Sequence, residues 1–86
     1  MTVHIPTPLR SYTGGQAEVQ AQGSTLEEVL ADLDHRYPGI RFRMIDEQGQ
    51  VRQHIRFFVG DSLEERLDAP LDGGVLITIM CALSGG

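Results

Sequence analysis

The strongest constraint in this 86-residue chain is one well-marked amphipathic helix. Ser24 reads as its N-cap and Glu27, three residues on, completes a capping box. Leu26, Val29, Leu30, Leu33 and Tyr37 recur at helical spacing and share one face. Glu27 and Glu28 stand in the first turn, where the helix dipole favours negative charge, and Arg36 stands near the other end. Pro38-Gly39 stops the helix, which the spacing predicts over Thr25 to Tyr37. A single amphipathic helix needs a sheet face to cover its apolar stripe.

The rest of the chain supplies that sheet. Thr2 to Thr7 alternates, with Val3 and Ile5 on one face, until Pro6 and Pro8 end the strand or hold it near an edge. Thr13-Gly14-Gly15-Gln16 is a turn, and Ala17, Val19 and Ala21 give a second alternating strand. Ile40 to Gln50 is irregular, with a short turn of helix carrying Phe42 and Ile45, and Asp46 to Gly49 turns the chain. His54 to Val59 is a third strand: Ile55, Phe57 and Val59 on one face, Arg56 and Phe58 on the other. Gly60-Asp61 is a turn, and Leu63, Leu67 and Leu71 read as core contacts in a looping segment with Pro70. Val75 to Met80 is a last strand rich in β-branched residues. The reading is an α+β domain over residues 1–80, a mixed sheet of four or five strands with one main helix, and a flexible tail over 81–86. One helix covers one sheet face, which leaves the other face wet for a partner. A domain of this size buries only about 60–65% of its unfolded surface, so one modest core is all it supports.

Charge narrows the partners. Twelve acidic residues against seven arginines leave a net charge of −5. That balance argues against nucleic acid and against an anionic membrane surface, both of which need a basic face. On net charge alone, a basic protein partner is the compatible class. There is no lysine. An arginine-favouring genome explains this, and so does a chain that gains from having no side-chain amine near an activated carboxyl. Cys81 alone excludes an internal disulfide and fits a reducing cytoplasm. The opening MTVHIPTP has neither the charged nor the apolar region of a signal peptide, and no apolar run reaches membrane-spanning length. The expectation is a cytoplasmic protein, monomeric when free.

No catalytic constellation emerges. His4, His35 and His54 have no metal-ligand spacing to one another or to Cys81. Gly14-Gly15 and Gly73-Gly74 lack the flanking glycine and lysine of a phosphate loop. Cys81 follows Ile79 by two positions and reads as a small buried thiol. The alternative is a thiol placed near the tail for exchange chemistry.

The order of elements, the terminal Gly85-Gly86 and several local runs together resemble the MoaD/ThiS family of ubiquitin-like β-grasp proteins. The runs are Ile5-Pro6-Thr7 with Leu9-Arg10, Thr13-Gly14-Gly15-Gln16, Gly23 before the Thr25-Leu26 helix start, Ile55 to Asp61, and Ile79 to Gly86. The opening is most similar to the CysO-like branch. The ending in that branch is close to proline, alanine, valine, alanine, Gly-Gly; here Cys81 stands for the proline and Leu83-Ser84 precede the glycines.

The resemblance implies a sulfur carrier that is not itself an enzyme and binds no cofactor of its own. An adenylating enzyme activates the Gly86 carboxylate with ATP, a sulfur donor converts it to a thiocarboxylate, and a biosynthetic enzyme accepts the sulfur. The product could be cysteine, molybdopterin, thiamine or a specialised metabolite. The alternative is a ubiquitin-like modifier conjugated through Gly86. The tail suits either use. Six extended residues reach about 20 Å into a channel. Gly85 and Gly86, lacking Cβ atoms, fit a narrow slot. At glycine's ordinary frequency of about 7%, chance gives such a terminal pair in about 0.5% of chains. On the wet sheet face, Phe58, Met80 and Leu83 with Arg56 beside them form the candidate docking patch.

Overall fold

A computed structural model describes residues 1–82. Five strands form one sheet in the order β2-β1-β5-β3-β4. They are β1 (Thr2–His4), β2 (Glu18–Gln20), β3 (Ile55–Val59), β4 (Ser62–Glu64) and β5 (Ile77–Cys81). β1 and β5 run parallel, with Val3 opposite Ile77, and the remaining pairs are antiparallel. This is the mixed β-grasp sheet that the sequence predicts.

The helix α1 runs over Leu26–Arg36, one residue shorter at each end than its expected span. Its cap is displaced by one residue from the sequence reading. Thr25, not Ser24, is the N-cap, and its Oγ1 accepts from the Glu28 N–H at 3.2 Å. The reciprocal arm is the Glu28 carboxylate, which accepts the Ser24 N–H at 2.8 Å. Glu27 is drawn away to Arg41 at 2.6 Å. The next free donors of the first turn are met from outside the helix: Leu26 N–H donates to the Ala69 carbonyl and Glu27 N–H to that of Leu67. Gly23 permits this close entry, because a Cβ there would stand 2.6 Å from the Val29 nitrogen.

Leu26, Val29, Leu30 and Leu33 pack onto the inner sheet face, where Val3, Ile5, Val19, Ile55, Phe57, Ile77 and Ile79 are all buried. Val59, expected among them, is half-buried at the rim of the same cluster. Ile40, Met44 and Ile45 close one end of the core around a 3₁₀ turn at Arg41–Arg43. Leu9 and Ala69 close other gaps. Thr13 is the buried polar residue, and its hydroxyl is satisfied by the Gln16 carbonyl at 2.8 Å.

Further sequence expectations are corrected. The segment after Gly60-Asp61 is a strand, not a loop, and Leu63 lies exposed on it rather than in the core. The connection is a two-residue hairpin with Gly60 at φ +59°, a first central position that favours glycine. Cys81, assigned to the tail, is the last residue of β5 and pairs with Ile55. Ala82 also remains tied down, donating its N–H to the His54 carbonyl at 2.7 Å.

Candidate functional site

Strand alternation places one row of side chains across the face that α1 leaves uncovered. Backbone register aligns Glu18, His4, Thr78, Phe58 and Leu63 across all five strands. One step along, Arg56 stands opposite Met80. Three residues of the predicted docking patch, Phe58, Met80 and Arg56, therefore meet on adjacent strands. Met80 is 48% exposed and Phe58 half-buried. The remaining patch member, Leu83, and the reactive pair Gly85-Gly86 lie outside the described residues.

The arginine is held as well as placed. Arg56 Nη1 donates to the Gln53 carbonyl at 2.7 Å and to the Ile55 carbonyl at 2.8 Å. Both acceptors are neutral, so the side chain is oriented while its charge stays uncompensated by them. Leu63, directly opposite Phe58, extends the apolar surface to the sheet edge. Sequence reading missed it. The signal was the two-residue Gly60-Asp61 turn, which once taken as a hairpin fixes Phe58 opposite Leu63.

The exit of β5 is the second part of the site. Pro8, Leu9, Phe42, Arg43, Arg52, His54 and Cys81 line a concavity beside it. Arg52 lies 4.6 Å from the Phe42 ring centroid and donates its Nε–H to the Phe42 carbonyl at 2.7 Å. Burial pushes the Cys81 thiol above its ordinary pKa, with Arg43 pulling weakly the other way. Such a thiol is protonated at neutral pH and a poor nucleophile. Cys81, expected to be buried, is only partly so; it packs against the edge of the core. Among the described residues no three His, Cys, Asp or Glu side chains converge to hold a metal ion. No helix among them is long and apolar enough to cross a membrane.

A five-stranded mixed sheet in the order β2-β1-β5-β3-β4 gripping one helix defines the ubiquitin-like β-grasp class. The sequence matches the ThiS family over residues 3–86, and the chain belongs to that family. The sulfur carrier protein CysO of Mycobacterium tuberculosis is 37% identical over 91 residues, covering 100% of this chain and 98% of that protein. The crystal structure of the Amycolatopsis orientalis BexX/CysO complex contains a chain that superposes with TM-score 0.90 at 36% identity, covering 99% of this chain and 98% of that one. SAMP1 from Haloferax volcanii superposes with TM-score 0.80 at 20% identity, covering 100% of this chain and 98% of that one, a likeness of fold. The relatives named as sulfur carriers are small carrier proteins rather than enzymes, in keeping with the absence of a catalytic constellation in the sequence.

Proposed function

We propose that this chain is a sulfur carrier whose reacting group is the carboxyl of Gly86. The observation that carries the reading is the full-length likeness to CysO, with the family match extending through Gly86. The chemistry runs in two displacements on a partner enzyme. The Gly86 carboxylate attacks the α-phosphorus of ATP and pyrophosphate leaves. A hydrosulfide-equivalent donor then attacks the acyl carbon, AMP leaves and a proton is released, which forms the thiocarboxylate. A sulfur-accepting biosynthetic enzyme consumes it. The carrier's own contribution is positional: it presents an extended strand to the active site and docks through Phe58, Met80 and Arg56, with Leu83 beyond them. ATP is bound by the activating partner, not by the carrier.

The test is the intact mass of the protein recovered from its native cells. A fraction heavier by the difference between sulfur and oxygen, localised to Gly86 by fragmentation, is the expected result. Ladders of this chain on heavier proteins, with no thiocarboxylate, would instead assign it as a modifier.

A further inference from the structure

The net charge of −5 conceals an uneven distribution. Of the seven arginines, Arg36, Arg41 and Arg66 are paired with Asp32, Glu27 and Asp68 at 2.8, 2.6 and 2.9 Å. The other four, Arg10, Arg43, Arg52 and Arg56, have no carboxylate within salt-bridge distance among the described residues. These four all surround the exit of β5. Arg43, Arg52 and His54 flank Cys81 in one concavity. Arg56 and His54 flank Ala82 in a second. Arg10 and His4 flank Met80 and Cys81 in a third. No Asp or Glu among the described residues lines any of the three. Glu64 and Glu65 do share a cleft with Arg52 and Arg56 on the far side of β3, but they form no ion pair with them.

Three of the four guanidiniums are oriented by backbone carbonyls. Arg10 Nε donates to Ile5 at 3.0 Å, Arg52 Nε to Phe42, and Arg56 Nη1 to Gln53 and Ile55. A carbonyl fixes direction without cancelling charge, and each guanidinium keeps further N–H donors for a carboxylate fork. In a chain with twelve carboxylates, four arginines without one gather around the exit of β5, with Glu18 two strands away on β2, and give the molecule a basic pole in an acidic body.

We infer that this pole docks on a protein surface where carboxylates ring an apolar socket. Met80 and Phe58 enter the socket, and Arg10, Arg43, Arg52 and Arg56 meet the carboxylates. This reverses the partner charge that the net charge suggests. The identity of that partner as the adenylating enzyme rests on the carrier reading above; the sign of its docking surface does not. A polyanion such as nucleic acid fits less well, because the body behind the pole repels an extended phosphate chain and Met80 offers it nothing.

Two measurements test the inference. In the first, the isotope-labelled full chain is titrated with poly-L-glutamate and, separately, with a duplex oligonucleotide, and backbone amides are followed by NMR. Poly-L-glutamate is expected to shift residues 10, 43, 52–56 and 80–82, with little change on α1. Shifts spread over α1, none at all, or an equal response to the oligonucleotide at physiological salt would overturn the assignment. In the second, association with the adenylating enzyme from the same organism is timed for the wild type, Arg43→Glu, Arg43→Glu/Arg56→Glu and the control Arg36→Glu/Arg66→Glu. The double variant is expected to associate at least about tenfold more slowly than the control at low salt. Most of that difference should vanish as ionic strength rises from about 0.01 to about 0.15 M, where the Debye length contracts from about 30 to about 8 Å. Equal rates for the double variant and the control, with both still folded by circular dichroism, would refute the basic pole as a docking element. If the enzyme activates none of the chains, the carrier reading fails, and the poly-L-glutamate titration still decides the sign of the surface.

Discussion

Arg56 and Met80 face each other across neighbouring antiparallel strands, one a fixed cation and the other a half-exposed apolar side chain. The pairing combines what a central anchor and its polar surround require at an interface. Met80→Asp and Phe58→Ala are each expected to weaken binding to the adenylating enzyme by about 2 kcal/mol, roughly thirtyfold in Kd. Thermal stability should change little for Met80→Asp, because the side chain faces away from the core. Calorimetric titration of both variants checks this, and unchanged affinity in both would remove the patch from the account.

The helix cap separates two hydroxyls adjacent in sequence. Thr25→Ala removes an acceptor that the Glu28 N–H uses, and should lower stability by about 1 kcal/mol. Ser24→Ala removes no cap and should fall within about 0.5 kcal/mol of the wild type. Urea unfolding of the two variants side by side makes the comparison; an equal loss in both would return the cap to Ser24.

Leu30 is fully buried between α1 and the sheet. Leu30→Ala should cost about 2–5 kcal/mol, the transfer of the lost methyl groups plus the cavity they leave. For a domain of this kind, with total stability of roughly 5–15 kcal/mol, the variant should melt far below the wild type by calorimetry.

Cys81 should react slowly with iodoacetamide at neutral pH, because burial raises its pKa and only the thiolate attacks. The rate should climb as pH passes a free thiol's ordinary value of about 8.5 and continue rising beyond it. Arg43 pulls the pKa down, so Arg43→Ala should slow the reaction further at a given pH. A plateau below that value would contradict the burial account.

Deleting Gly86 should abolish ATP-dependent pyrophosphate exchange with the adenylating enzyme. Each residue contributes about 3.5 Å of reach, and a misplacement of 1 Å can cost about a hundredfold in rate. Gly86→Ala should be milder, since the carboxyl stays in register. The deletion should keep the fold, because the β5 ladder closes at Cys81, five residues before Gly86. Exchange by the deletion at the full-length rate would exclude Gly86 as the reacting residue.

The fold was legible where a single period ran long enough to register. The helix stripe and the alternation in β1, β3 and β5 are of that kind, and their inward residues form the core. The cap was ambiguous because Ser24-Glu27 and Thr25-Glu28 are equally good boxes by spacing. The choice was made by Arg41, which takes Glu27, and that contact is tertiary. Ile40, Met44 and Ile45 were obscured by a 3₁₀ turn too short to show a pattern. β4 was obscured because an edge strand of three residues with exposed or half-exposed side chains carries no alternation. Within the site, Phe58, Met80 and Arg56 could be placed from strand parity alone. Arg10, Arg43 and Arg52 could not, since only the folded chain brings those distant positions around β5.

The central place of β5 in the sheet also bears on synthesis. Its partners are β1 on one side and β3 on the other, and the pairing of Val3 with Ile77 joins nearly opposite ends of the described chain. A nascent polypeptide therefore cannot complete its sheet until Ile77–Cys81 has left the ribosome. Any product terminated before that point lacks the strand that joins the two halves, and exposes apolar surface and unpaired strand edges that favour aggregation. A chain that has completed this sheet has therefore been translated at least through β5, whose last residue, Cys81, stands five positions before Gly86.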